Sequence, residues 1–510
     1  MSSSTKPALD LQVKDKLELT DKEKQIFDRL LRVVDHYNLQ TQIRVAGGWV
    51  RDKLLGKDSN DIDIALHNMM GEEFCHKVNE YYTLFKGEEK QKIGVVESNP
   101  DKSKHLQTAR IEMLGVQVDF VNLRSETYSE KNSRIPKVKF GSPKEDADRR
   151  DLTINSLFYN IKEKLVEDFT GRGLADLKEG KIVTPLHPME TFLDDPLRVF
   201  RAIRFAARFG FVLDEELEEA AASDVVRDAI KNKISRERIG DEINLMMCSN
   251  RPVQAMMDIC RLQLFWVVFA LPEPTISEGC DRLCVAYVDA AWNLLELIGC
   301  STFDDTQKRL YLYSALLLPI RERGTAYYII LESLKRTKSD AEMVGRLHSA
   351  SERFTSLIPL LADLTVTPSA RVLTGLLLRD IEDPHKKKKD IERSSLWRVA
   401  LMISTLLCPI NFDRSEVSSD EYKQIELDMR ETLFTTVEKA IVKLGLENVC
   451  HIPLAGGKEI MAILQIKEGG SIVGEWKQKL LEWQLADPCR TPEKSLDWMR
   501  GCLSKCSEVE

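Results

Sequence analysis

At 510 residues the chain is long enough for several hydrophobic cores. A formal net charge of −8 with 30 % charged residues excludes a uniformly basic surface, so a polyanion can be held only where basic residues are gathered. Eleven cysteines without a CxxC pair exclude a zinc ribbon and a disulfide framework, and no apolar run reaches the roughly 20 residues that span a bilayer.

Residues 1–30 read as an N-terminal extension. MSSSTKPALDLQVKDKLEL has no hydrophobic signal region and acquires acids early, which makes a poor transit peptide. With reduced thiols the default, a cytoplasmic and nuclear location is expected, an organellar form requiring a longer N-terminus.

RVAGGWVRDKLLGKDSNDIDIAL (44–66) is the first informative stretch. Arg44–Ala46 reads as a strand end, Gly47 and Gly48 as a tight turn, and Trp49–Gly56 as a short helix closed by glycine. Asn60–Leu66 then alternates, with Ile62 and Ile64 on one face and Asp61 and Asp63 on the other. Two neighbouring carboxylates repel unless a cation lies between them, which makes a divalent metal, Mg²⁺, the expected guest. Gly48 at a helix start offers a backbone N–H to an anion, and Arg51 in the first turn offers a charge-assisted contact to phosphate. Alone, a glycine pair is an ordinary turn and DxD a solvated strand edge. In this order and spacing they imply a nucleoside triphosphate.

Lys86–Lys104 is polar with little periodicity and reads as a loop. GVQVDFVNLRSETY (115–128) alternates as a second strand, in which Asp119 is either a third carboxylate of the site or an exposed strand residue. DADRRDLTINSLFYN (146–160) starts with acids and reads as a helix with Leu152, Ile154 and Leu157 on its apolar face. Asp151 and Asn155, four apart, suit ribose hydroxyls, and Arg150 suits phosphate; the competing reading is surface ion pairing. Gly171 and Gly173 form a hinge or a plain loop before the helices.

FLDDPLRVFRAIRF (192–205) places Asp195 as N-cap with Pro196 at the first helical position. Arg198, Arg201 and Arg204 recur along one side, either as a solvated basic stripe or as nucleotide contacts. Cytosine and adenine each present an exocyclic amine beside a ring-nitrogen acceptor, whereas uracil and guanine present a carbonyl beside an N–H. Asp195 as acceptor with Arg198 as donor would accept C and A and reject U and G. ISRERIGDEINLMM (234–247) reads as a supporting helix whose Glu237, Arg238 and Glu242 make ion pairs. From there onward the pattern is mostly helical, interrupted by PEPTISEG, the Lys386–Lys389 run and NFDRSEVSSD.

GGWVRD, DIDIAL, RRDLTIN, the glycine hinge, DDPLR and RERIGDE stand in the order found in class II CCA-adding enzymes. The chain resembles these tRNA nucleotidyltransferases of the polymerase-β superfamily, in a eukaryotic, plant-like form, over residues 40–250 and again at 456–484. One departure is Asp194, where bacterial relatives often carry glutamate. The resemblance implies an α+β nucleotidyltransferase head with a mixed sheet (31–180), a helical neck carrying the templating helix (181–250), and an all-α body and tail that bind tRNA (251–510). It implies stepwise C, C and A addition to tRNA from CTP and ATP by a monomer, with Asp61 and Asp63 holding Mg²⁺. A poly(A) polymerase of the same fold and a non-catalytic RNA-binding protein are the alternatives.

Overall fold

Thr20 and Glu23 form a capping box that starts α1 (Asp21–His36), and Ile26, Phe27, Leu30 and Val33 at helical spacing are buried. The computed structural model describes residues 13–96, 107–128, 135–272, 277–362, 367–381, 396–409, 419–449, 455–487 and 489–506. The Lys386–Lys389 run, most of NFDRSEVSSD and part of PEPTISEG lie outside the described residues. The chain divides into two compact units, Met1–Ala270 and Leu271–Glu510, so the expected head and neck fall together in the first.

The first unit is built on seven strands: β1 (Ile43–Ala46), β2 (Ile62–Leu66), β3 (Ile93–Val96), β4 (Thr108–Met113), β5 (Val116–Asn122), β8 (Leu157–Asn160) and β9 (Leu165–Asp168). Their order is β3-β4-β5-β2-β1-β8-β9. β2 and β5 pair parallel and the other neighbours antiparallel, giving the mixed sheet expected. A separate hairpin joins β6 (Arg124–Thr127) to β7 (Lys137–Phe140). α2 (Gly48–Leu54), α3 (Gly71–Lys86) and α4 (Pro143–Asp148) accompany the sheet. The β2 and β5 faces alternate as their sequences require: Ile62, Ile64, Val118 and Phe120 are all at most 2 % exposed, while Asp63 and Asp119 between them are not buried away.

Two sequence readings are corrected here. The helix expected over 146–160 ends at Asp148; Thr153–Asn155 is a single 3₁₀ turn, and Leu157–Asn160 is strand β8 beside β1. All four β8 residues are buried, and a fully buried strand shows the same unbroken apolar run as a buried helix. The Lys86–Lys104 loop contains β3, where IGVV pairs with β4; residues 97–104 lie outside the described residues.

After α5 (Gly173–Glu179) come α6 (Pro188–Asp194), α7 (Leu197–Phe209), α8 (Glu215–Ala221), α9 (Asp224–Lys233) and α10 (Arg236–Met247). A two-residue parallel bridge, β10 (Lys181–Ile182) with β11 (Val212–Leu213), ties the segments flanking α6 and α7. α7 starts one residue later than expected, with Pro196 at the cap position and the Asp195 carboxylate accepting the Leu197 N–H at 3.2 Å. In the second unit every regular element among the described residues is a helix, with helices of 25 residues at Lys338–Ala362 and Ser419–Lys443. No helix among the described residues is long and apolar enough to cross a membrane.

Candidate active site

Period two along β2 and parallel pairing with β5 set Asp63 directly opposite Asp119. Cross-strand partners share a sheet face, and like charges so placed are destabilising. Burial, then the charges of Asp61 and Asp119, push the Asp63 carboxyl up to about 7, against the pull of Arg150 and Arg110. Asp119 has a partner of its own. Arg110, opposite it on β4, donates through Nε and Nη2 to its two oxygens at 2.5 and 2.6 Å. Among the described residues no guanidinium is paired in this way with Asp61, exposed just before β2, or with half-buried Asp63.

This donor set fits a hard divalent cation. Among the described residues no three His, Cys, Asp or Glu side chains converge as a ligand set. Two carboxylates completed by phosphate oxygens and water are the coordination that Mg²⁺ favours.

At the end of β1 the chain must turn sharply into α2, and Gly47 does so at φ +73° with its N–H on the Leu157 carbonyl at 2.9 Å. A Cβ there would lie 2.7 Å from Arg150 Nη1, so glycine lets the Arg150 guanidinium lie against the turn, close to Gly48 at the start of α2. Arg150 is held by Asp146 at 3.0 and 2.9 Å and by the Asn155 carbonyl at 3.2 Å. Arg51 lies differently from the phosphate contact expected. It is 3 % exposed, pairs with Asp52 and the Asn155 side chain, and stacks on Phe205 and Phe209 of α7. Its role in this geometry is to join α2 to α7.

A cavity of about 400 Å³ opens between the sheet and α7. Of the residues expected at the site, Asp63, Arg150, Asp151, Asp195, Arg198 and Arg201 line it. Asp151 accepts from Asn155 Nδ2 at 3.1 Å and Arg201 Nε at 2.7 Å. Burial would raise its pKa, but Arg201, Asn155 and Arg198 outweigh burial and hold it at about 2. Asn155 is 6 % exposed and serves as the link between Arg51 and Asp151. Arg204 turns away to Glu242 of α10 at 2.6 Å. The three α7 arginines therefore form no solvated stripe; each has its own acceptor.

Asp195 and Arg198 reach the cavity together. Asp195 accepts from Arg238 of α10 at 2.9 Å, and Arg198 donates to the Arg149 carbonyl at 2.6 Å. A carboxylate has about four acceptor sites, so Asp195 retains capacity for a base amine. Asp194 beside it is half-buried; burial pushes its carboxyl up to about 6 against the pull of Arg198, with Glu190 and Glu126 adding to the rise.

Several cavity residues were not singled out from the sequence: Asn122, Arg124, Glu126, Tyr128, Asp146, Arg149 and, as a partner of Asp195, Arg238. Glu126 accepts from Arg124 at 2.8 Å, Arg149 at 3.2 Å and Tyr128 at 2.9 Å. The signal was present in RSETY, where Arg124, Glu126 and Tyr128 alternate, and in DADRR, where Asp146 precedes Arg149 and Arg150 at helical spacing.

The model of the Poly A polymerase head domain matches residues 43–183, the sheet and its glycine turn. A protein named CCA tRNA nucleotidyltransferase, mitochondrial, from Saccharomyces cerevisiae is 34 % identical, over 96 % of this chain and 94 % of its own. The chain belongs to the class II tRNA nucleotidyltransferases. A family member from Schizosaccharomyces pombe is 33 % identical over 94 % of this chain and 95 % of its own. The fold is also that of a Bacillus stearothermophilus CCA-adding enzyme solved with CTP: TM-score 0.65 at 17 % identity, covering 96 % of this chain and all of that one.

The carboxylate row yields a pH prediction. A raised carboxyl pKa stabilises the fold below the unfolded value of about 4, and that stability is lost as pH rises through the folded value. In chelator, the wild-type melting temperature should therefore fall relative to Asp63→Asn as pH rises from about 4 to about 7. A divalent cation should restore it above that range in the wild type. Parallel melting curves for the two proteins would mean that Asp63 is ionised throughout.

Proposed function

We propose that this chain adds C, C and A stepwise to the 3′ end of tRNA from CTP and ATP, releasing pyrophosphate. The observation that carries this reading is that one cavity joins the Asp63 end of the carboxylate strand to the Asp195–Arg198 pair. Transfer chemistry and base choice can thus act on one nucleotide. The S. cerevisiae relative, named for CCA addition to tRNA and matched along nearly its whole length, supports the same reading.

In this mechanism Asp61 and Asp63 hold Mg²⁺, which when bound supplies charge neutralisation on the triphosphate and acidifies the 3′-hydroxyl. Gly47, Gly48 and Arg150 receive the phosphates, a backbone N–H and a fixed guanidinium facing the anion. Asp151, kept ionised by Arg201, accepts from a ribose hydroxyl, with Asn155 holding it in place. Asp195 accepts from the amine of C or A and Arg198 donates to the ring nitrogen, so the protein itself acts as template. Arg51, Arg201 and Arg204 hold α7 against the sheet and α10. The helical residues 251–510 hold the tRNA by shape and phosphate contacts. The mitochondrial name of the S. cerevisiae relative favours an organellar form, and imaging of the tagged protein only in cytoplasm and nucleus would refute it.

The decisive experiment supplies tRNA lacking its 3′ end with CTP and ATP, singly and together. Incorporation of CTP followed by ATP is expected; use of ATP alone would assign a poly(A) polymerase instead. Asp61→Ala and Asp63→Ala should abolish addition while tRNA binding persists, and near-normal turnover of either variant would refute the metal assignment.

Asp195→Ala tests the template. An unpaired buried polar group costs about 1–3 kcal/mol, enough for roughly ten- to hundredfold discrimination per contact. The variant should transfer slowly and discriminate less against UTP and GTP. Because Asp195 also caps α7, its melting temperature must be measured alongside. A less stable but equally selective variant would assign Asp195 to capping alone.

A further inference from the structure

Asp63, Asp119 and Arg110 form one row across three adjacent strands, Asp63 opposite Asp119 on β5 and Asp119 opposite Arg110 on β4. Strands lie about 4.8 Å apart, which places the Arg110 backbone roughly 10 Å from that of Asp63 on the same sheet face. Stability alone does not account for the Arg110–Asp119 pair. The Arg110 side chain is 52 % exposed and that of Asp119 16 %, and an ion pair open to solvent on one side contributes little, about 0–1 kcal/mol for exposed pairs. Both oxygens of Asp119 are engaged by Arg110, and among the described residues Asp119 does not converge with two other ligand-type side chains. The bidentate contact occupies two of the five guanidinium N–H donors. The others face no further acceptor in the contacts of the described residues.

We infer that Arg110 is a phosphate-binding residue of the transfer reaction, and that Asp119 is the positioning residue that aims it, in place of a third metal ligand. The inference rests on the nucleotidyl-transfer reading above. Its geometric basis is that the fork is fixed on one side by a carboxylate and open on the other, beside the strand that would carry the metals. The acceptor is a phosphate oxyanion, from either the triphosphate tail of the incoming nucleotide or the 3′-terminal backbone of the tRNA. Arg110 in turn offsets part of the charge that Asp119 sets opposite Asp63.

The test compares Asp119→Asn, Arg110→Gln, Arg110→Lys and the Asp119→Asn/Arg110→Gln double variant in the full-length protein. Three readouts are taken: kcat and KM for CTP with trimmed tRNA, affinity for pyrophosphate and for trimmed tRNA separately, and the melting-temperature rise on adding Mg²⁺ alone. Each single glutamine or asparagine variant should lose about ten- to hundredfold in kcat/KM, as for a lost charged hydrogen bond. The double variant should be no worse than either, and Arg110→Lys should recover part of the loss. The Mg²⁺-induced stabilisation should be unchanged in all four. Weaker pyrophosphate binding with intact tRNA affinity assigns the contact to the triphosphate, and the converse assigns it to the RNA terminus. The inference is overturned if Asp119→Asn loses the Mg²⁺ stabilisation while Arg110→Gln keeps or strengthens it, for Asp119 is then a ligand and Arg110 its placeholder. It is also overturned if neither single variant alters turnover or either affinity. Turnover that survives in Asp63→Ala would instead defeat the transfer reading itself, so the two failures are distinguishable.

Discussion

Two carboxylates facing each other across parallel strands are the constraint around which this site is organised. A sheet gains nothing by setting Asp63 opposite Asp119, and burial, with the charges of Asp61 and Asp119 added, holds the Asp63 carboxyl up to about 7. The strands tolerate it because the surrounding faces are strongly apolar: Ile62, Ile64, Val118 and Phe120 bury the other side of the same two strands. Hydrophobic burial thus maintains an electrostatic conflict between the two carboxylates, and under the proposed function a bound cation would relieve it.

From this row the organisation extends outward through ion pairs and hydrogen bonds. Arg51 reaches Asn155, Asn155 reaches Asp151, Asp151 pairs with Arg201, and Arg201 and Arg204 share Glu242. The chain of contacts runs from the glycine turn to α10 by way of α7. Arginines in such a network, Arg51 buried and Arg201 and Arg204 half-buried, are fixed in direction by their acceptors, so α7 is held at a defined angle to the sheet. That angle places Asp195 and Arg198 in the same cavity as Asp63.

Much of this was legible. Strand β2, the glycine turn, the α7 arginines and the helical remainder all follow from period and spacing, and the motif order led to the correct family. The readings that failed did so where the period is ambiguous. Leu157–Asn160 is buried at every position and shows no alternation, and only its pairing with β1 on one side and β9 on the other makes it a strand. Arg51 stands in the right motif for a phosphate contact, yet Phe205 and Phe209, remote in sequence, draw it inward.

By itself the sequence determined the type of the clearly periodic elements, such as β2 and α7, the face on which their charged side chains stand, and a set of candidate residues for metal, phosphate and base. Those properties are local, fixed by a repeat of two or 3.6 residues. Only the tertiary structure decided which acceptor each arginine takes: Asp119 for Arg110, Asp151 for Arg201, Glu242 for Arg204, Asp195 for Arg238. A guanidinium binds any carboxylate within reach, so its partner is set by which strands pair and how α7 and α10 pack. That is settled by burial of apolar side chains elsewhere in the unit, which local spacing does not encode.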